Sequence, residues 1–430
     1  MAEPERFVER FAPALLALPF LIGIAVLRGL TVEIDTFHGS DAALYQLPTI
    51  MQLREGLDFS DYPSAQTPLF HLVMAGWGKL VGFELWKLRL LNVAISYGAA
   101  LALLRLLRRT AALGPLPAFA LTLAFALSPY FFGASFTLLT DNLAILFALL
   151  ALERMHRYAQ DGSPAAFATA CLWIGAAVLT RQSFLWLVLV GGVFLVLRER
   201  RSAERLFAGA VMLALALAPL AALAIEWKGL VPPSADPASC GLCTDRPGFG
   251  RDTLTLRTAG FTVALLGLYA GLVFGPGLAR RPGGAPRRPP WQLIGAGAAA
   301  GAALLLLSPL EYKPIGLAPG DAGYLWQLSK HLPTVLGSSL LFWVAVPTGA
   351  VGGALLARRA GWISLASAYL ACFLAVALPV ALVYQKYFDP FVLLAVALLA
   401  RPPDFRVPWD YAGVALVCAG SVAYALSFAG

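Results

Sequence analysis

The strongest constraint on this chain is the recurrence of apolar stretches long enough to cross a membrane, joined by short polar connections. They fall near 12–30, 88–107, 115–133, 140–155, 164–180, 182–197, 206–226, 258–276, 291–310, 333–356, 362–383, 388–400 and 409–428. A bilayer core takes about 20 apolar residues per helix, and a helix satisfies its own backbone where no water can. The expectation is an all-α polytopic membrane protein, a bundle of about 13 transmembrane helices. With 59% hydrophobic residues and a mean hydropathy of +0.74 over 430 residues, little chain is left for a soluble domain. The economical division is one membrane-embedded domain, 1–430. Within it, 1–275 forms a first helical module, the Gly/Pro/Arg-rich 276–290 segment a cytoplasmic linker, and 291–430 a C-terminal module. The first apolar run follows Glu3, Glu5, Arg6, Glu9 and Arg10 and lacks a small-residue cleavage site, so it reads as an uncleaved helix.

Orientation follows from arginine. Arg105, Arg108 and Arg109 follow the second stretch, and Arg198, Arg200, Arg201 and Arg205 the sixth. Arg280, Arg281, Arg287 and Arg288 follow the eighth, Arg358 and Arg359 the tenth, and Arg401 and Arg406 the twelfth. If every stretch spans, all these runs share one face, which the positive-inside rule makes cytoplasmic, with the N-terminus on the same side. The net charge of +8 is then accounted for at helix ends and calls for no nucleic-acid partner. High Ala, Gly, Pro and Arg suit a prokaryotic inner membrane. Cys171, Cys372 and Cys418 lie inside apolar stretches as packing residues. Cys240 and Cys243 share a polar loop and suit a disulfide better than half a metal site.

Charge is otherwise scarce, 13% of the chain, yet 31–87 carries Glu33, Asp35, Asp41, Glu55, Asp58 and Asp61. Unpaired charge in hydrocarbon costs several kcal/mol, so this stretch predicts a long first extracytoplasmic loop. Its part 67–82, moderately apolar but broken by Gly76, Gly78 and Lys79, predicts an amphipathic surface helix. Asp41 and Tyr45 share a face if 40–47 is helical. Asp41 then reads equally as a helix cap or as a general base toward a hydroxyl.

The same face receives Asp141, Arg181–Gln182, Tyr324 to His331 and Tyr384 to Asp389. Asp141 opens an apolar stretch, where it complements the helix dipole, faces the base, or holds a divalent cation such as magnesium or manganese. Arg181 stands where the positive-inside rule disfavours arginine, which calls for a bound anion such as phosphate or a buried acidic partner. Lys386 beside Tyr387 suits a phosphate or interfacial snorkelling. Trp326 and His331 lie in an aromatic and basic loop that suits a sugar ring, a lipid headgroup or plain anchoring. His38 and His71 have no partners at metal-ligand spacing.

Three stretches carry a resemblance: Asp41, Tyr45-Gln46-Leu47-Pro48, Asp61-Tyr62, Thr67-Pro68-Leu69 and Leu88-Arg89-Leu90-Leu91-Asn92 in order; Leu139-Thr140-Asp141; and Thr180-Arg181-Gln182-Ser183-Phe184-Leu185-Trp186. They resemble the GT-C class of integral membrane glycosyltransferases. Within it they are similar to the dolichyl-phosphate-glucose-dependent glucosyltransferases of N-glycan precursor assembly and related bacterial polyprenyl-phosphate-sugar enzymes. The resemblance covers roughly the first half of the chain. That family shows an acidic pair where this chain has Asp41-Ala42, which leaves Asp35 as a rival base. It implies a GT-C-like bundle and inverting transfer of a hexosyl or pentosyl group from a polyprenyl-phosphate donor to a glycan, lipid or protein acceptor. It implies Asp41 as base, Arg181 and Lys386 on the lipid phosphate, Gln182 hydrogen bonding, and Asp141 holding a cation or orienting Arg181.

A multi-pass transporter or flippase places polar groups at broken helices in mid-membrane, whereas the polar residues here gather at one surface. A lipid-linked polysaccharide polymerase or ligase concentrates its polar residues in a late outer loop, whereas the longest polar loop here comes first.

Overall fold

The computed structural model describes residues 3–27, 41–60, 62–232, 256–279, 290–312, 323–361, 364–377 and 383–426. The chain is an all-α polytopic membrane protein. Among the described residues six helices are long and apolar enough to cross a membrane: Glu3–Ala25, Leu85–Thr110, Gln182–Glu199, Ala203–Glu226, Leu256–Pro276 and Leu340–Ala360. Counting the bent pair Pro115–Leu127 and Pro129–Ser135 as one span makes seven. Leu69–Val81, Pro164–Thr180, Trp291–Leu307, Leu365–Val376 and Asp389–Leu399 are shorter apolar helices. Extended structure among the described residues is one antiparallel pair, Thr334–Val335 with Ser338–Ser339. Asp35, Asp61, Cys240, Cys243 and most of the 276–290 linker lie outside the described residues.

The helices group into two compact units. One comprises Glu9–Thr110 and Phe131–Asp245. Its helix ends are written locally. The Asp141–Asp161 helix closes on Gly162, whose positive φ of 68° places its N–H on the Tyr158 carbonyl. Ser163 then caps the next helix and Pro164 opens it. The polar stretch after Asp41 is itself folded. A π-helical turn, Ala42–Gln46, runs into the helix Leu47–Glu55, and Leu69–Val81 forms a second helix. Ile50, Leu53, Phe70, Met74 and Ala75 pack with Leu88, Leu138, Leu143 and Trp227 in one apolar cluster. The Leu69–Val81 helix buries Phe70, His71, Met74, Ala75 and Gly78, one helical face, and leaves Leu80 exposed.

The other unit comprises Met1–Val8, Ala111–Tyr130 and Arg246–Gly430. Its centre is the pair Leu256–Ala279 and Leu340–Ala360. These helices approach so closely at Gly267 and Gly349 that a Cβ on either would overlap the facing backbone, at Ala345 and Val263 respectively. Lipid tails provide no hydrophobic drive between helices, so small residues that admit close backbone packing do this work.

Candidate active site

In the first unit the site is built around the turn that precedes Asp141. Asn92, buried on the helix Leu85–Thr110, donates its amide to the carbonyls of Ala134 (2.7 Å) and Thr137 (2.5 Å). Asn142 Nδ2 shares its two N–H groups among the Phe131 carbonyl (3.0 Å) and the hydroxyls of Ser96 (2.7 Å) and Ser135 (3.1 Å). Two amides thus occupy the backbone carbonyls that the short turn cannot satisfy itself, and they fix where Asp141 starts its helix. Thr140 is the N-cap, with no side-chain cap bond, so the helix start leaves the Asp141 carboxylate to other partners.

The partner is Arg181. Its Nη1 lies 2.6 Å from Asp141 Oδ1, and Nε lies 3.2 Å from the Ser183 hydroxyl. Arg181 ends the helix Pro164–Thr180 in extended conformation, and its N–H caps the Ala177 carbonyl. Gln182 donates to the Ala65 carbonyl at 2.6 Å, while Thr67 donates to the Val178 carbonyl at 2.7 Å. These two bonds lace the 62–68 segment onto the 178–182 corner. Gln182 Oε1 is buried and has no hydrogen-bond partner among the described residues.

Asp41 is half-buried at the head of the π turn, and Tyr45 is exposed. Behind them runs a fully buried chain of polar groups. The Tyr62 hydroxyl meets His71 Nδ1, and His71 Nε2 lies 2.5 Å from Gln46 Oε1. One neutral imidazole, protonated at Nε2, donates to Gln46 and accepts from Tyr62. Burial holds His71 at about 3, far below its ordinary 6.5, and pushes the Tyr62 hydroxyl up.

The second unit holds the remaining sequence candidates. Lys386 Nζ sits over the rings of Tyr387 (5.2 Å) and Tyr384 (6.0 Å), a cation–π arrangement on a short 3-10 turn, Gln385–Tyr387. That turn is held by Asp389. Its Oδ1 accepts from the hydroxyls of Tyr269 (2.6 Å) and Tyr324 (2.7 Å) and from Gln385 Nε2 (2.9 Å). Oδ2 is buried with no partner among the described residues. Trp326 is buried: Phe261 stacks on it at 4.9 Å, the Arg257 guanidinium covers it at 5.2 Å, and its Nε1 donates to the Val383 carbonyl. Buried under these contacts, Trp326 fastens the 383–389 turn. His331 is exposed at the end of the helix Tyr324–Lys330.

Reading the sequence by charge passes over Asn142, and it meets Asn92 and Gln46 only inside motifs and Asp389 only as the end of the Tyr384 to Asp389 stretch, with no role of its own. Arg89 was noticed only as part of a motif, although its Nε is buried without a hydrogen-bond partner among the described residues. Arg181 is the legible one, because an arginine on the side that the arginine runs predict to be outer demands a reason.

Asp141 is thus the acidic partner that the position of Arg181 called for, at the corner of two apolar helices and beside a laced polar segment. Residues 65–223 match the family model for dolichyl-phosphate-mannose-protein mannosyltransferase. The matched stretch contains Thr67, Asn92, Asp141, Arg181 and Gln182, and stops short of Asp41 and Lys386. It supports a membrane glycosyltransferase of GT-C type that uses polyprenyl-phosphate-sugar donors. A comparison with curated proteins returned no match.

Proposed function

We propose that this protein transfers a sugar from a polyprenyl-phosphate donor to an acceptor hydroxyl at the extracytoplasmic face, with inversion at the anomeric carbon. The observation that carries this reading is the family match over the stretch in which Asp141 grips Arg181. In the reaction, Asp41 takes the acceptor proton, and the acceptor oxygen attacks the anomeric carbon from the face opposite the phosphate. The bond from that carbon to the phosphate oxygen breaks, and its electron pair leaves with the polyprenyl phosphate. A phosphate monoester leaving group takes charge stabilisation more than a proton, which is the role assigned to Arg181 and Lys386, with Gln182 donating alongside. Tyr45 and Tyr387 would border the substrates. The chain would span about 13 times, with the arginine runs cytoplasmic, 31–87 outside and the membrane a prokaryotic inner one.

Asp141 is assigned to orient Arg181. A magnesium or manganese ion would have to compete with that guanidinium for Oδ1, so this reading expects transfer to survive EDTA. The sugar is left at hexosyl or pentosyl; the acceptor is a glycan, lipid or protein hydroxyl.

The reading is tested by supplying reconstituted protein with a panel of radiolabelled polyprenyl-phosphate sugars and recording the anomeric configuration of the product by NMR. An inverted product from one donor is expected. A product retaining configuration would remove the single-displacement mechanism, and with it the role given to Asp41.

A further inference from the structure

We infer that Tyr62, His71 and Gln46 form a buried latch that holds the π turn carrying Asp41, and so sets the direction in which the proposed base points. This rests on the reading of Asp41 as base.

The helix from Asp41 to Glu55 has two parts. Its C-terminal part is anchored, because Thr49 and Ile50 are fully buried and Leu53 is 1% exposed. Its N-terminal part is a π turn, with the Leu47 N–H bonded to the Ala42 carbonyl, five residues back. A π turn packs its backbone less well than an α turn and is seen mostly as a single insertion in helices, often at functional sites. Something must hold it there. The only polar side chain that the turn buries is Gln46, 6% exposed, and a buried amide with no partner costs about 1–3 kcal/mol.

His71 supplies that partner from the Leu69–Val81 helix at 2.5 Å from Oε1, and the Ser64 hydroxyl donates to the same oxygen at 3.5 Å. Tyr62 closes the other end on Nδ1 and is itself fixed by stacking on Trp227 at 5.8 Å, whose Nε1 donates to the Phe59 carbonyl. Every member of the chain is buried, so none can exchange its bond for water.

The geometric consequence concerns direction. A π turn holds about one residue more than an α turn, and each helical residue turns about 100°. Releasing Gln46 lets the turn relax to α, and everything N-terminal to it then rotates by about that angle relative to the anchored face. Asp41 swings away with it. His71 is thus a positioning residue: it touches no substrate and acts through the helix that presents the carboxylate.

The test uses the full chain in membranes. Gln46→Leu and His71→Leu are placed in the native chain for kinetics and in an Asp41→Cys chain for labelling. An impermeant maleimide is added outside, and peptide-level mass spectrometry compares position 41 with Leu57→Cys, which is exposed beyond the anchored helix. Met74→Leu, on the same buried face as His71 but outside the latch, serves as the packing control. The expected result is a threefold or larger change in labelling of position 41 relative to 57 in either latch variant. With it should come a tenfold to hundredfold fall in kcat at a donor KM within twofold, neither appearing in Met74→Leu. Unchanged relative labelling overturns the latch, as does an equal loss in Met74→Leu, which would mean general packing. If Asp41→Asn keeps full transfer, the base reading fails, while the labelling result still decides the latch independently.

Discussion

The ion pair between Asp141 and Arg181 is partly open to solvent, with side-chain exposures of 27% and 13%. Such pairs contribute only about 0–1 kcal/mol to stability, whereas one lost charge-stabilising group at a developing anion costs about 10²–10³ in rate. The two scales separate, so Asp141→Asn should lower transfer about a hundredfold while shifting unfolding by no more than about 1 kcal/mol. Initial rates and thermal unfolding of the same preparation check this; a large stability loss with a proportionate rate loss would make the pair structural. Arg181→Lys should fare little better than Arg181→Ala, because an ammonium cannot grip a carboxylate and a phosphate in the planar fork of a guanidinium. His71 makes a pH prediction. Its folded value, about 3, lies below the ordinary 6.5, so below that pH the unfolded chain binds a proton that the fold refuses. Stability from this group is whole above pH 6.5 and is lost as pH falls from there toward 3, at up to about 1.4 kcal/mol per pH unit. Thermal unfolding across that range should show the slope in wild type and lose it in His71→Leu. Residues of this kind were unevenly legible. Arg181 declares itself by breaking the charge rule of the face that the arginine runs predict for it, but Asp389 and Tyr269 lie 120 positions apart, and nothing local marks them as partners.

Helices were easier to read than their contacts. The Asp389–Leu399 helix occupies the apolar stretch near 388–400, and Leu69–Val81 stands where a broken apolar pattern predicted an amphipathic surface helix. Hydropathy and turn residues suffice for that, since Gly162 and Pro164 write the end of one helix and the start of the next. The π turn was illegible, because Ala42, Gln46, Ile50 and Leu53 recur at spacings an α-helix also satisfies, and only the partner of Gln46 decides between them. Close approach is likewise invisible in one sequence, where Gly267 and Gly349 look like two of 40 glycines. Their backbone contact predicts that Gly349→Val forces the central helices of the second unit apart, at a cost of about 1–3 kcal/mol or more, while Gly271→Ala, with open space around its Cα, is tolerated. Denaturation in detergent distinguishes them; equal tolerance of both would deny the contact.

At the scale of the whole molecule, the chain is interleaved. Ala111–Tyr130 groups with the C-terminal half, so the unit that carries Asp41, Asp141 and Arg181 is assembled from two separate stretches. Hydropathy reads such a chain as a row of spans and gives no sign of which spans pack together, because every helix presents a similar apolar face to lipid and to its neighbours. Function was legible to the depth of a class: a carboxylate-rich early segment, an acidic helix start and an arginine where the predicted topology disfavours one. The most direct measurement is sugar transfer from polyprenyl-phosphate donors by reconstituted wild type, Asp41→Asn, Asp35→Asn and Arg181→Ala. Transfer by wild type and Asp35→Asn, with losses of about a hundredfold or more in Asp41→Asn and Arg181→Ala, is the expected result. Transfer undiminished in Asp41→Asn, or none from any donor alongside substrate flux across the bilayer, would contradict it.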